Sequence, residues 1–170
     1  GHIDGKMSYC SYFLFLADKF LNEDGRIAAI LPATVLNKSS DSGVREMLLK
    51  DYDIEYIFAR EDDPNFSEDT DLREVMIIAR KGSAGDASTT YVSLDGLDVD
   101  SSLIRNISGK LKKQKPGEAK TIKQGSCTAT VWRVSRDQMD THNLFSPFAV
   151  QNHALFQLWG DILAHKNKLT

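Results

Sequence analysis

Histidine, cysteine and clustered carboxylates are the side chains in these 170 residues best equipped for metal or nucleophilic chemistry. Their spacing supports neither. His2, His142, His153 and His165 form no HExxH pair and no other ligand spacing. Cys10 and Cys127 are far apart with no CxxC, so neither a thiolate zinc site nor a disulfide framework is expected. Two such thiols suit a reducing cytoplasm. Cys127 has no adjacent base or orienting group and reads as an inert thiol. GxGxxG, P-loop and GxSxG motifs are absent. The acidic stretch from Glu61 to Asp71, interrupted by Pro64 and Phe66, has no EF-hand pattern and reads as a solvated loop. No metal ligand is assigned.

Charge is the stronger signal. Residues 1–85 carry 10 Lys/Arg against 16 Asp/Glu, whereas residues 86–170 carry 11 against 8. Nine basic residues fall between Arg105 and Arg136, where Glu118 is the only acid. A basic segment on an acidic body suggests one face that meets a polyanion; a solvated lysine-rich loop is the competing reading. Pro116-Gly117 favours an exposed loop there.

These groups need a scaffold. Apolar residues make up 41% of the chain and charged ones 26%, the proportions of a globular protein with room for one domain or a little more. No run approaches the roughly 18 apolar residues of a membrane span, and no signal peptide opens the chain. Tyr9, Tyr12, Phe13, Leu16, Phe20 and Leu21 recur at three- and four-residue steps, predicting a helix from Ser8 to Asn22 that ends at Asp24-Gly25. Ile27–Leu31 is an unbroken apolar run before Pro32 and predicts a strand buried on both faces. Ser39, Ser40, Asp41 and Ser42 are N-cap candidates for a second helix carrying Val44, Met47 and Leu48.

Strands are predicted at Ile54–Phe58 and Val75–Ala79, pairing antiparallel across the acidic loop, the second of them also buried on both faces. Gly82–Thr89 has linker composition. Beyond it, strands are predicted at 90–94 and 128–134, flanking a lysine-rich loop at 109–120. Trp132 lies in the second strand as a core or stacking residue. Leu155, Leu158, Trp159, Ile162 and Leu163 give one face of a final helix. The class is α/β, with units at 1–81 and 90–170 joined by a linker at 82–89. Gly1-His2 resembles a purification-tag remnant and the chain stops in helical rhythm, so a piece of a longer protein is expected.

The string SYFLFLADKFLNEDGRIAAILPATVLN, continued by VREMLLKDYDIEYIFAREDDPNFSEDTDLREVMIIARK, resembles the second half of the catalytic domain of adenine-N6 DNA methyltransferases. Within that family the resemblance is to type I modification subunits and fused type II restriction–modification enzymes. Tyr12 and Phe15 match the start of its helix. Gly25-Arg26, Pro32 and Leu36 match its GRxAxIxPxxxL strand, and Phe66 stands where its loop Phe stands, ahead of EVMIIARK. Two family motifs have no counterpart: the FxGxG-like turn for S-adenosylmethionine and the catalytic NPP[YF]. The DDPNF at Asp62–Phe66 has the wrong order in the wrong place.

The resemblance implies a partial Rossmann-like methyltransferase sheet, its last strands and helices, with a small mixed C-terminal element. It implies a cytoplasmic parent enzyme that methylates adenine N6 in double-stranded DNA from S-adenosylmethionine, alongside a specificity or nuclease subunit. This chain alone would hold no catalytic residue, bind no cofactor and be inactive. Phe66 would stack on a flipped adenine, or else anchor its loop. Tyr12 and Phe15 would edge the cofactor pocket, or else be core. Lys110, Lys112, Lys113, Lys115, Lys120, Lys123, Arg133 and Arg136 would contact DNA phosphates in a target-recognition or docking element. A half-sheet left uncovered predicts self-association. Two other readings fit: a non-catalytic DNA-binding or subunit-docking module, and a Rossmann-like methyltransferase acting on RNA or protein.

Overall fold

Ser8 stands at the N-cap position of the first helix, α1 (Tyr9–Phe20), without a side-chain cap bond, and the helix end is closed by the Leu21 N–H on the Ala17 carbonyl. Asp24 then takes a left-handed φ of 62° and turns the chain through Gly25 into β1 (Arg26–Pro32). Two short 3-10 turns (Ala33–Leu36 and Ser39–Asp41) lead to α2 (Ser42–Asp51), β2 (Tyr52–Arg60) and β3 (Glu74–Lys81). The chain continues as β4 (Ser88–Asp95), α3 (Ser101–Leu111), β5 (Ala119–Gln124), β6 (Cys127–Ser135) and α4 (His153–Lys166). The computed structural model describes residues 8–61, 66–67, 72–82, 88–96, 101–111, 118–136, 139 and 153–166.

All six strands form one mixed sheet in the order β1-β3-β2-β4-β6-β5. β3 lies antiparallel between β1 and β2, so β1 and β2 run parallel to each other. β4 joins β2 in parallel, and β6 and β5 follow antiparallel. The antiparallel β2–β3 pairing is the one expected across the acidic loop. Because side chains alternate along each strand, the sheet has two distinct faces. On the first, α1 and α2 cover Leu31, Ile57, Val75, Ile77, Tyr91 and Trp132, and Phe156 of α4 joins the same cluster. On the second, Leu103 and Ile107 of α3 pack against Phe58, Val92, Ile122 and Val131.

Several expectations change. β1 is an edge strand whose Arg26, Ala28 and Ile30 are exposed, because the second cluster of the sheet does not extend over that face of β1. β3 buries one face fully and the other only in part. The linker expected at 82–89 is shorter, since Ser88 and Thr89 already pair with Ser135 and Val134, and the sheet continues across it. The lysine-rich loop is narrower too. Lys110 belongs to α3, while Lys120 and Lys123 belong to β5, which turns through Gly125-Ser126 into β6. Gly125 supplies the positive φ, 59°, that this tight hairpin requires. Among the described residues no helix is long and apolar enough to cross a membrane, and no three metal-ligating side chains converge.

Candidate functional site

The C-terminal ends of β1 and β2 point the same way, and in open α/β sheets ligands gather at that rim. α1 runs back along β1 from the rim. At the far end of the sheet Asp18 accepts a hydrogen bond from Tyr52 Oη at 2.8 Å and pairs with Lys81 Nζ at 3.0 Å. Burial alone would raise the Asp18 carboxyl, but the Tyr52 and Lys81 contacts outweigh it and hold it below its usual range. Burial, and then Asp18, push the Tyr52 phenol far up.

The rim itself is clamped by residues that sequence patterns assign differently. Asp41 sits at the N-cap of α2 but makes no side-chain cap bond there. Its Oδ1 instead accepts Ser11 Oγ at 2.7 Å, Ser8 Oγ at 3.0 Å and the Ser8 N–H at 3.2 Å, fastening the start of α1. Asp41 is 1% exposed. Burial pushes its carboxyl up, yet the Ser11 and Ser8 donors and the Lys38 charge prevail, so it titrates below the normal range. Beside it Arg45, also buried, donates through Nη1 to the carbonyls of Val35 at 2.9 Å and Lys38 at 2.8 Å. The segment following β1 is thus pinned from two sides.

Tyr12 lies in the first turns of α1 and is 38% exposed, whereas Phe15 is half-buried against the main core. Phe66 is half-buried on the other side of the sheet, beside Tyr56, Met76 and Ile78. Its neighbour Ser67 donates its N–H to Glu74 Oε2 at 2.8 Å, which ties that loop to the start of β3. Glu74 faces Pro32 in the ladder, so Phe66 and Tyr12 approach one rim from opposite faces. The sheet stands between them.

Toward the other end of the second face lies an open groove of about 470 Å³, lined by Arg26, Asp53, Glu55, Tyr56, Ser88, Thr90 and Arg133. Arg26 binds Glu55 through both Nε and Nη2 at 2.9 Å, and Arg80 Nη2 reaches Asp53 at 3.3 Å. Both carboxylates are therefore neutralised. Its lining sets two arginines against two carboxylates, so the groove offers little net field to a polyanion.

The four basic candidates whose side chains are described are dispersed. Lys120 and Lys123 are exposed on β5, three residues apart and so on opposite faces of the sheet. Arg133 lines the groove. Arg136 donates to the Tyr52 carbonyl at 3.3 Å, a structural tie between the ends of β6 and β2. Lys112, Lys113, Lys115 and the Lys110 side chain lie outside the described residues.

No protein-family model matches the sequence, and no curated protein matches it. Solved structures do. A modification subunit assigned to a type I restriction enzyme from Vibrio vulnificus YJ016 superposes with a TM-score of 0.55 at 16% identity, over 76% of this chain and 28% of that one. The type IIG restriction endonuclease BpuSI gives 0.60 at 22% identity, over 83% of this chain and 16% of its own. The type I methyltransferase subunit from Streptococcus thermophilus gives 0.56 at 18% identity, over 81% and 29%. The fold is restriction–modification methyltransferase-like. The chain spans less than a third of each of these relatives, and at such identities what it shares with them is architecture. Within that methyltransferase-like fold, the Asp41–Arg45 clamp is the feature that sequence patterns missed. Its only trace is a serine and aspartate run thirty residues from its partners Ser8 and Ser11.

Proposed function

We propose that this chain is part of a cytoplasmic restriction–modification enzyme that methylates adenine N6 in double-stranded DNA, and that it supplies the second half of the catalytic sheet. The observation that carries this is the likeness of the fold, over 76% and 81% of the chain, to a modification subunit and a methyltransferase subunit. S-adenosylmethionine would supply the methyl group. Tyr12 and Phe15 give that cofactor one wall at most, since Phe15 is largely engaged with the core. The isolated chain is therefore expected to bind no cofactor, because the first βα turn that would cradle it has no counterpart here.

Phe66 is the residue proposed to hold the target base. An adenine amine in a duplex is out of reach until the base is flipped, and an aromatic platform stabilises the flipped state by roughly 1–3 kcal/mol. Phe66→Ala in the full-length enzyme should slow methylation roughly 5- to 150-fold while DNA affinity stays nearly constant. Methylation at the parent rate would make Phe66 a packing residue of the second cluster.

DNA affinity is assigned to the stretch from Lys110 to Lys123, whose long ammonium side chains suit phosphates as point charges. Each phosphate contact contributes about 0.9 to the slope of log affinity against log salt. Replacing Lys112, Lys113 and Lys115 together by Ala should then flatten that slope by up to about 2.7, for cognate and random duplexes alike. An unchanged slope would leave the stretch a solvated loop and favour a subunit-docking role for residues 90–170.

A further inference from the structure

α3 rests on the second face of the sheet through two buried side chains, Leu103 and Ile107, and turns the rest of Ser101–Gly109 to solvent. Ser102, Arg105, Asn106 and Gly109 stand at i, i+3, i+4 and i+7, one continuous stripe on its outer side. A Cβ added to Gly109 would meet nothing within 4 Å, so the space before that turn is open. No Asp or Glu occurs between Ser101 and Gly117.

β5 steadies this stripe from the side. Asn106 Nδ2 donates to Gln124 Oε1 at 2.7 Å, and Gln124 Nε2 donates in turn to Ser102 Oγ. The Asn106 amide is thereby oriented at the expense of one N–H, which leaves its Oδ1 and second N–H for a partner.

The chemistry of the stripe points to base edges. A guanidinium spans O6 and N7 of guanine, and an Asn amide spans N6 and N7 of adenine. Serine and glycine on the same stripe let the helix backbone come close. The major groove of B-form DNA admits a helix, whereas that of A-form RNA is too narrow. A protein partner fits less well, because interface centres are built on large apolar and aromatic side chains. Ile104, 40% exposed, is the only such side chain exposed among those described on α3.

Two neighbours share this side of the sheet. Lys120 of β5 alternates in step with buried Ile122, so its exposed ammonium lies on the α3 face. Phe66 packs against the same cluster as Leu103 and Ile107.

We propose that α3 reads DNA sequence from the major groove, with Arg105 on a guanine, Asn106 on an adenine and Lys120 on a flanking phosphate. This assigns base readout to a helix, apart from the sequence-independent affinity of the lysine-rich stretch. It rests on the methyltransferase reading only for the ligand, double-stranded DNA.

Selection from randomised duplexes tests it, using the full-length polypeptide whose reading frame contains this 170-residue chain and sequencing the bound fraction. The parent should enrich a motif. Arg105→Ala should lose the preference at one guanine by roughly 5- to 150-fold. Arg105→Lys should lose it almost as fully, since an ammonium keeps the charge but not the fork. Asn106→Ala should relax one adenine position. Affinity for a scrambled duplex should hardly change in the Asn106 variant. Lys120→Ala should do the reverse, keeping the motif while weakening all duplexes alike and flattening the salt slope by about 0.9. All three positions are exposed, and the far-ultraviolet circular dichroism of each variant should match the parent's.

A parent that enriches no motif would overturn the proposal, as would a motif that survives both Arg105→Ala and Asn106→Ala. Full guanine preference in Arg105→Lys would also overturn it, by reducing Arg105 to a phosphate contact. Assaying the same preparations for methyl transfer separates the two ideas. A relaxed motif in the variants with no transfer by the parent sinks the enzymatic reading alone, and transfer with an unaltered motif sinks this one.

Discussion

Trp132→Ala should remove about 3–5 kcal/mol of stability, a large share of what a domain of this size possesses. The indole is fully buried, with its ring 4.4 Å from Tyr91 and 6.4 Å from Phe156 between centroids. It belongs to the cluster that also holds Leu14 of α1 and Val44 of α2. Its loss should therefore be felt across the whole sheet. Urea unfolding followed by far-ultraviolet circular dichroism and by amide exchange in β1–β3 should show one transition, moved as a unit. Among the described residues the indole N–H has no hydrogen-bond partner, so Trp132→Phe, which keeps an aromatic ring, should cost much less. If β1–β3 kept parental protection in the Ala variant while β4–β6 melted, the continuous core would be wrong.

Asp41→Ala should cost roughly 3 kcal/mol, because a buried carboxylate that accepts several hydrogen bonds disappears and leaves Ser8 and Ser11 without their acceptor. The start of α1 should loosen first. Asp41→Asn separates charge from shape. The folded-state pKa of Asp41 lies below its unfolded value, so its contribution is complete above the ordinary carboxylate range and is lost as pH falls through the folded pKa. The parent should exceed the Asn variant in stability at pH 7, and the gap should close in acid below about pH 4. A gap independent of pH would mean that Asp41 acts through packing alone.

These two residues mark what a sequence can and cannot disclose. α1, β1, α2, β2 and β3 follow from runs and periodicities that are local, and each forms where the apolar pattern places it. Trp132 in β6 is legible for the same reason. α3 is not, because Leu103 and Ile107 are the only buried residues of Ser101–Gly109, and most of the others there are polar. β5 is hidden because it buries Ile122 alone among residues otherwise typical of a solvated loop. The exposure of β1 escapes a local reading as well, since an apolar run carries no mark of being last in its sheet. Asp41 looks like an N-cap by type and place, and only the fold brings it to Ser8 and Ser11. Of the candidate site, Phe66, Tyr12 and Phe15 were reachable through family resemblance, not through their own spacing. The lysines were reachable by charge, but charge could not reveal that β5 would send Lys120 and Lys123 to opposite faces.

On the function proposed above, this chain belongs to an enzyme that methylates adenine in DNA. The full-length polypeptide should be incubated with tritium-labelled S-adenosylmethionine and duplex DNA, and the DNA digested to nucleosides. Label should appear in N6-methyladenine, and the 170-residue chain alone should transfer none. Label in RNA or protein but not in DNA, or transfer by the short chain on its own, would overturn the proposed function.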